Sequence, residues 1–164
     1  MEQLTNLVVS ETELEHIARI LGRLNTDTSA THTFLLDKSG QVISTQGEPS
    51  ERDMVALGAL LAGAFSSSRQ VAEILGERDF RSILQQGVQE NILTNLIGNN
   101  WLLVVIFEKQ THVGLVKILA RKANEELERV LDRVRQGGAA ARQQVVDVRF
   151  RSDVENTIDL LFKD

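Results

Sequence analysis

The stretch "WLLVVIF", Trp101 to Phe107, is an unbroken apolar run. A strand covered on one face alternates apolar and polar residues; one without alternation is covered on both faces. The run is therefore expected as the central strand of a sheet that carries a layer on each side. Gly98-Asn99-Asn100 stands just before it, and Gly-Asn is a hairpin signal, so Ile92 to Ile97 reads as the strand it turns back from. Phe80 to Gln86, closed off by Gly87, reads as a third strand; "FRSILQQG" is more polar and suits a sheet edge.

Upstream, "HTFLLDKSGQVISTQGE" from His32 to Glu48 offers a second hairpin. Thr31 to Leu36 is β-branched and aromatic, and Gln41 to Thr45 reads as its partner. Asp37 and Gly40 stand in the D-x-x-G spacing with which GTP-binding proteins sense a γ-phosphate. That use also requires a phosphate loop, G-x-x-x-x-G-K-[ST], and the chain contains none. Asp37 as an Asx-type turn opener and Gly40 as a residue free to take positive φ explain the segment fully.

Three helices frame the strands. Ser10 and Glu13 form a capping box, after which Leu14, Ile17, Leu21 and Leu24 recur at helical spacing; this helix should fade near Asn25. The second spans about Ser50 to Leu75: Pro49 and Ser50 mark its start, Asp53 suits its positive end, and Gly76 can close it in a left-handed cap. Leu57, Leu61, Phe65 (or Ala64), Ser68 and Leu75 are assigned to its core face. It also carries two rows of small residues, Gly58/Ala62/Ser66 and Ala59/Gly63/Ser67. Glycine inside a helix costs about 1 kcal/mol against alanine, so such rows imply close approach of another backbone. Either the chain's own sheet or a helix of a second copy or partner would satisfy them.

The third helix is expected from about Thr111 to Gln136, with Val116, Leu119, Ala123, Leu127, Val130 and Val134 as its apolar stripe. Arg121, Lys122, Glu125, Glu126 and Arg129 give i,i+4 charge pairs on the outer face, read as a solvated surface, with a docking patch built on the basic members as the alternative. Gly137 and Gly138 are expected to stop it, leaving residues 137–151 as a linker. Ser152 and Glu155 form another capping box ahead of a short C-terminal helix, 152–164, in which Val154, Ile158, Leu161 and Phe162 share a face. Such a helix is marginal alone and must dock on something.

Composition narrows the function. Of 164 residues, 42% are hydrophobic and 25% charged, values for a globular chain able to build a core. Without cysteine there are no disulfides, thiolate metal sites or Cys nucleophiles. His16, His32 and His112 are far apart, so no metal site is expected, and no cofactor. A net charge of −5, 4% aromatics and no Tyr argue against nucleic acid. The N-terminus lacks the pattern of a signal peptide, and no apolar stretch nears the roughly 20 residues that span a bilayer, so cytoplasmic residence without membrane insertion is expected.

The order helix, two strands, helix, three strands, helix resembles the Roadblock (dynein light chain) superfamily. That implies an α/β fold: a profilin-like α/β/α sandwich around a five-stranded antiparallel sheet, here residues 1–136, plus the short C-terminal helix. "FLLDKSGQVIS", "LAGAFSSS", "ILGERDF" and "LVVIFEKQTHVGLVKILARKANEEL" narrow the resemblance to MglB-like proteins, bacterial polarity regulators that act on the small GTPase MglA. The resemblance implies a homodimer in which the second helices pair and the third strands join edge to edge, placing Gly58, Ala59, Gly63, Ser67, Phe80 and Ile83 at the interface. It implies binding of an MglA-like Ras-family GTPase in its GTP state and faster hydrolysis, without an arginine finger, in cell polarity and motility, with concentration at a cell pole. The GTPase-binding positions it implies are Ala62, Ser66 and Gln70 on the second helix and Ile158, Leu161 and Phe162 at the C-terminus. Gln70 is larger than the alanine or glycine usual there, and Phe65 replaces a small residue.

The chain itself is expected to be no enzyme, since no catalytic constellation is present. The main alternative is a Roadblock scaffold or adaptor that holds a GTPase, motor or kinase without activating hydrolysis. A small-molecule sensor is a third option, but no convergent polar residues mark a pocket.

Overall fold

The computed structural model describes residues 7–48 and 51–161, with 139–150 and 159 by backbone alone. The elements are α1 (Glu11–Thr28), β1 (His32–Asp37), β2 (Val42–Gly47), α2 (Met54–Ile74), β3 (Ser82–Gln86), β4 (Glu90–Ile97), β5 (Trp101–Glu108) and α3 (Val113–Leu161). The strands form one antiparallel sheet in the order β2-β1-β5-β4-β3. β5 lies at its centre, and Trp101 to Phe107 are all buried, as an apolar run without alternation requires. β3 is an edge strand.

Alternate residues of the sheet feed two cores. Leu35, Leu93, Leu103, Val105 and Phe107 face α1 and α3, meeting Ile17, Leu21, Leu127 and Val130. Phe34, Leu36, Leu96, Leu102, Val104 and Ile106 face α2, meeting Leu61, Ala62 and Phe65. The result is the α/β/α sandwich.

Local signals place most boundaries. The Ser10 hydroxyl accepts from the Glu13 amide at 3.3 Å, one half of a capping box, and α1 runs to Thr28, three residues past Asn25, where a left-handed Ser29 closes it. Asp53 caps α2 by accepting from Ala56 N at 3.0 Å. Pro49 and Ser50, read from sequence as its start, lie outside the described residues. Gly76, at φ +77°, closes its C-terminal turn. Leu75, assigned to the core, instead lies beyond the last turn and is exposed. In the β1–β2 turn, Asp37 Oδ1 accepts from the amides of Ser39 (2.9 Å) and Gln41 (3.0 Å) and from the Ser39 hydroxyl (2.6 Å). These bonds close the turn.

Helix α3 differs most from expectation. It continues without a break through Gly137-Gly138 to Leu161, so the stretch 137–151, expected as a linker, is helical. The expected C-terminal helix is present as the last turns of α3, and Ser152 and Glu155 sit inside it rather than starting it. Extending a helix already nucleated by the core costs only the propensity of each residue, and alanines follow the two glycines. At 49 residues the helix is about 73 Å long. Its last buried side chain among the described residues is Val134; Val154, Ile158, Leu160 and Leu161 are exposed.

The turn and α2 touch backbone to backbone. A Cβ on Gly58 would stand 2.4 Å from the Gly40 carbonyl oxygen, and one on Gly40 would stand 2.7 Å from Ala59 Cα. Gly58→Val must push these elements apart. The expected loss is about 1–3 kcal/mol, read as a lower urea midpoint.

Candidate functional site

Helix α2 has two apolar sides. The inner one is buried on the sheet through Leu61, Ala62, Phe65 and Ala72. On the outer one Leu60, Gly63, Ser67, Val71 and Ile74 recur at spacings of three or four residues, which places them along one stripe. Leu60 is 71% exposed and Ile74 87%. A surface helix normally turns polar residues away from its core, so a second apolar side opposite the buried one marks a surface that another chain can cover. Covering each large apolar side chain fully would yield about 1.5–3 kcal/mol. At the middle of the stripe, a Cβ on Gly63 would meet nothing within 4 Å. No described atom of the protomer accounts for that glycine, whereas Gly40 accounts for Gly58.

The small-residue rows therefore divide. Gly58 and Ala62 are buried against the protomer's own turn and sheet; Ala59, Gly63, Ser66, Ser67 and Gln70 are exposed. Ala62, Ser66 and Gln70 do not form a single exposed stripe, because α2 sits with Ala62 rolled toward the sheet. Ser66 and Gln70 remain accessible. Sequence spacing showed the rows but not how the helix is rotated over the sheet, and so not which row lies inward.

The other implied interface residues lie beside α2. Phe80 falls before β3 rather than in it, and its ring packs on Phe65 at 5.3 Å between centroids. Ile83 is half-buried and packs on the same core. β3 pairs with β4 on one side only, and Ser82, Gln85 and Gln86 are exposed along it. An unpaired strand edge is a template for another strand. Ile158 and Leu161 are exposed at the far end of α3, and Phe162 lies outside the described residues.

One ion pair fixes the approach to α2. Arg52 Nη1 donates to Glu90 Oε2 at 2.9 Å and Arg52 Nη2 donates to Glu90 Oε1, tying the segment before the helix to the start of β4. These bonds hold the Glu90 carboxyl below its ordinary value, chiefly by hydrogen bonding and against partial burial, with smaller electrostatic contributions from Arg52 and His32. A lowered carboxyl stabilises the fold above its unfolded-state value and loses that contribution as pH falls through its folded value. Both partners are partly solvated, so the pair contributes about 0.5–1 kcal/mol. Glu90→Gln should lose that much at pH 7 and match the parent near pH 3. Urea titrations at the two pH values decide it, and an equal deficit at both would show that the effect is not ionic.

Among the described residues no three His, Cys, Asp or Glu side chains are placed to hold a metal, and no helix is long and apolar enough to cross a membrane.

Known proteins share this architecture. The chain is similar to Myxococcus xanthus MglB, at 32% identity and a TM-score of 0.69 over 71% of this chain and 95% of that one. It is similar to the gliding protein MglB of Thermus thermophilus, at 26% identity and a TM-score of 0.73 over 78% and 97%. A structure of MglB in a tetrameric arrangement matches at 25% identity and a TM-score of 0.74 over 79% and 97%. The Roadblock/LC7 domain profile matches residues 16–107, more than half of the chain, from the body of α1 to the last buried residue of β5. With the sandwich, the strand order and this match in agreement, the chain belongs to the Roadblock/LC7 family and is MglB-like within it.

Proposed function

We propose that the chain is a homodimeric regulator, without a catalytic site of its own, that binds an MglA-like Ras-family small GTPase in its GTP state and stimulates hydrolysis, in bacterial cell polarity or motility. The observation that carries this reading is the outer stripe of α2: exposed Leu60, Val71 and Ile74 around a glycine that the protomer does not need. Pairing the stripes of two copies would cover the apolar side chains and bring the unpaired edges of β3 together. A relative found in a tetrameric arrangement supports self-association. Two α2 helices side by side would leave Ser66 and Gln70 on a shared surface for the GTPase. Residues 1–136 would supply this dimeric body. The last turns of α3, with Ile158 and Leu161 exposed, would supply a second contact with the GTPase.

Acceleration would come from ordering the GTPase's own residues around the γ-phosphate, since phosphoryl transfer is catalysed by positioning and charge stabilisation. The test is GTP hydrolysis by an MglA-like GTPase with and without this protein, at limiting and saturating concentrations. Faster turnover supports the activator. Binding with unchanged turnover assigns the chain to the non-activating scaffolds. Nucleotide binding by the purified chain alone would refute the reading.

A further inference from the structure

The side of the sheet away from α2 carries a cleft of about 470 Å³ between α1 and α3, lined by Thr12, Glu13, His16, Arg19, Arg23 and Arg133. Three guanidinium groups face one carboxylate in a chain of net charge −5. The cleft is braced at both ends. Arg133 donates to Glu13 Oε1 at 3.2 Å and Oε2 at 3.4 Å, and Arg23 donates to Glu126 Oε1 at 3.2 Å. With Glu126 counted, cations still outnumber anions. Arg133 also donates to His16 Nδ1 at 2.9 Å, which leaves the ring proton on Nε2 as a further donor. Between the braces Arg19 is exposed and has no hydrogen bond or ion pair with another described residue.

We propose that this cleft docks an acidic segment of a partner protein, on the face opposite the α2 stripe. The lining is dominated by donors, and guanidinium groups match carboxylates in geometry and charge. The braces are ten residues apart on α1, about 15 Å, more than one phosphate fills. Several carboxylates along a peptide fit that length. A long nucleic acid or an anionic membrane would also meet the acidic remainder of the surface, which disfavours both. The proposal does not depend on GTPase binding.

The test is fluorescence anisotropy of the full chain with a labelled peptide of about twelve alternating Glu and Ser residues. Binding that weakens with salt is expected. Arg19→Glu should weaken it roughly tenfold or more, with Arg19→Gln in between and unchanged circular dichroism in both. Should Arg19→Glu fail to fold, Arg19→Gln carries the test. Ser66→Arg, on the other face, should leave peptide binding unchanged, and Arg19→Gln should leave any GTPase activation unchanged. No peptide binding, or binding insensitive to Arg19, overturns the proposal. So does displacement by millimolar inorganic phosphate, which would mark a small-anion site. Stronger binding of a single-stranded oligonucleotide or a phosphatidylglycerol vesicle than of the peptide overturns it too.

Discussion

Gly63→Arg is expected to convert the proposed dimer to a folded monomer. A Cβ at Gly63 meets no described atom of the protomer within 4 Å, and arginine is a better helix former than glycine by nearly 1 kcal/mol. The protomer should therefore keep or gain intrinsic stability. In a dimer packed through the α2 stripe, Gly63 would lie where two helices cross, between Leu60 and Val71, and a bulky cation there would prevent close approach and remain unpaired. Several kcal/mol would be lost, about a thousandfold or more in the dimer dissociation constant. Sedimentation velocity across a concentration series reads the outcome, with far-ultraviolet circular dichroism as the control for folding. A variant that stays dimeric at the parent's affinity would place the interface elsewhere. Gly58→Val is the contrasting variant, because Gly58 abuts the protomer's own Gly40 and the damage should appear in protomer stability.

Ser66→Arg is expected to abolish the proposed GTPase binding and stimulated hydrolysis while self-association and the melting temperature stay near those of the parent. Ser66 is exposed on the flank of α2, beside the stripe rather than in it, and arginine is compatible with helix there. If the GTPase packs across this flank, a long charged side chain must be desolvated without a partner. That costs about 3 kcal/mol or more, on the order of a hundredfold in affinity. Pull-down against the GTP-loaded GTPase and a turnover assay give the result. Normal binding and activation would move the contact to another face. Loss of the dimer instead would show that the flank belongs to the interface between copies. Because Ala62 is buried against the sheet, its substitution by arginine cannot serve as the same test.

Much of the architecture was legible in the sequence, because the signals were local or periodic. Seven apolar residues without alternation placed β5 at the sheet centre, polar residues placed β3 at an edge, and Ser10 and Gly76 marked helix ends. The positions of Asp37 and Gly40 identified a turn, and the side-chain hydrogen bonds of Asp37 are those of a turn. The reading failed where local chemistry competed with propagation. The Gly137-Gly138 pair reads as a stop, yet a helix anchored by a long buried stripe carries through it, since no new nucleus is needed.

The candidate site was only half legible. Small residues repeating every four positions announce close packing, but the sequence does not say against what. That depends on how α2 is rotated over the sheet, which is fixed jointly by Phe65, Leu61 and the backbone contact between Gly58 and Gly40. Only with that rotation set does Ala62 turn inward and Gly63 outward. The composition of α2 follows from the sequence; the division of its faces between this protomer and its surroundings is a tertiary property, because a helix with two opposite apolar sides can bury either of them.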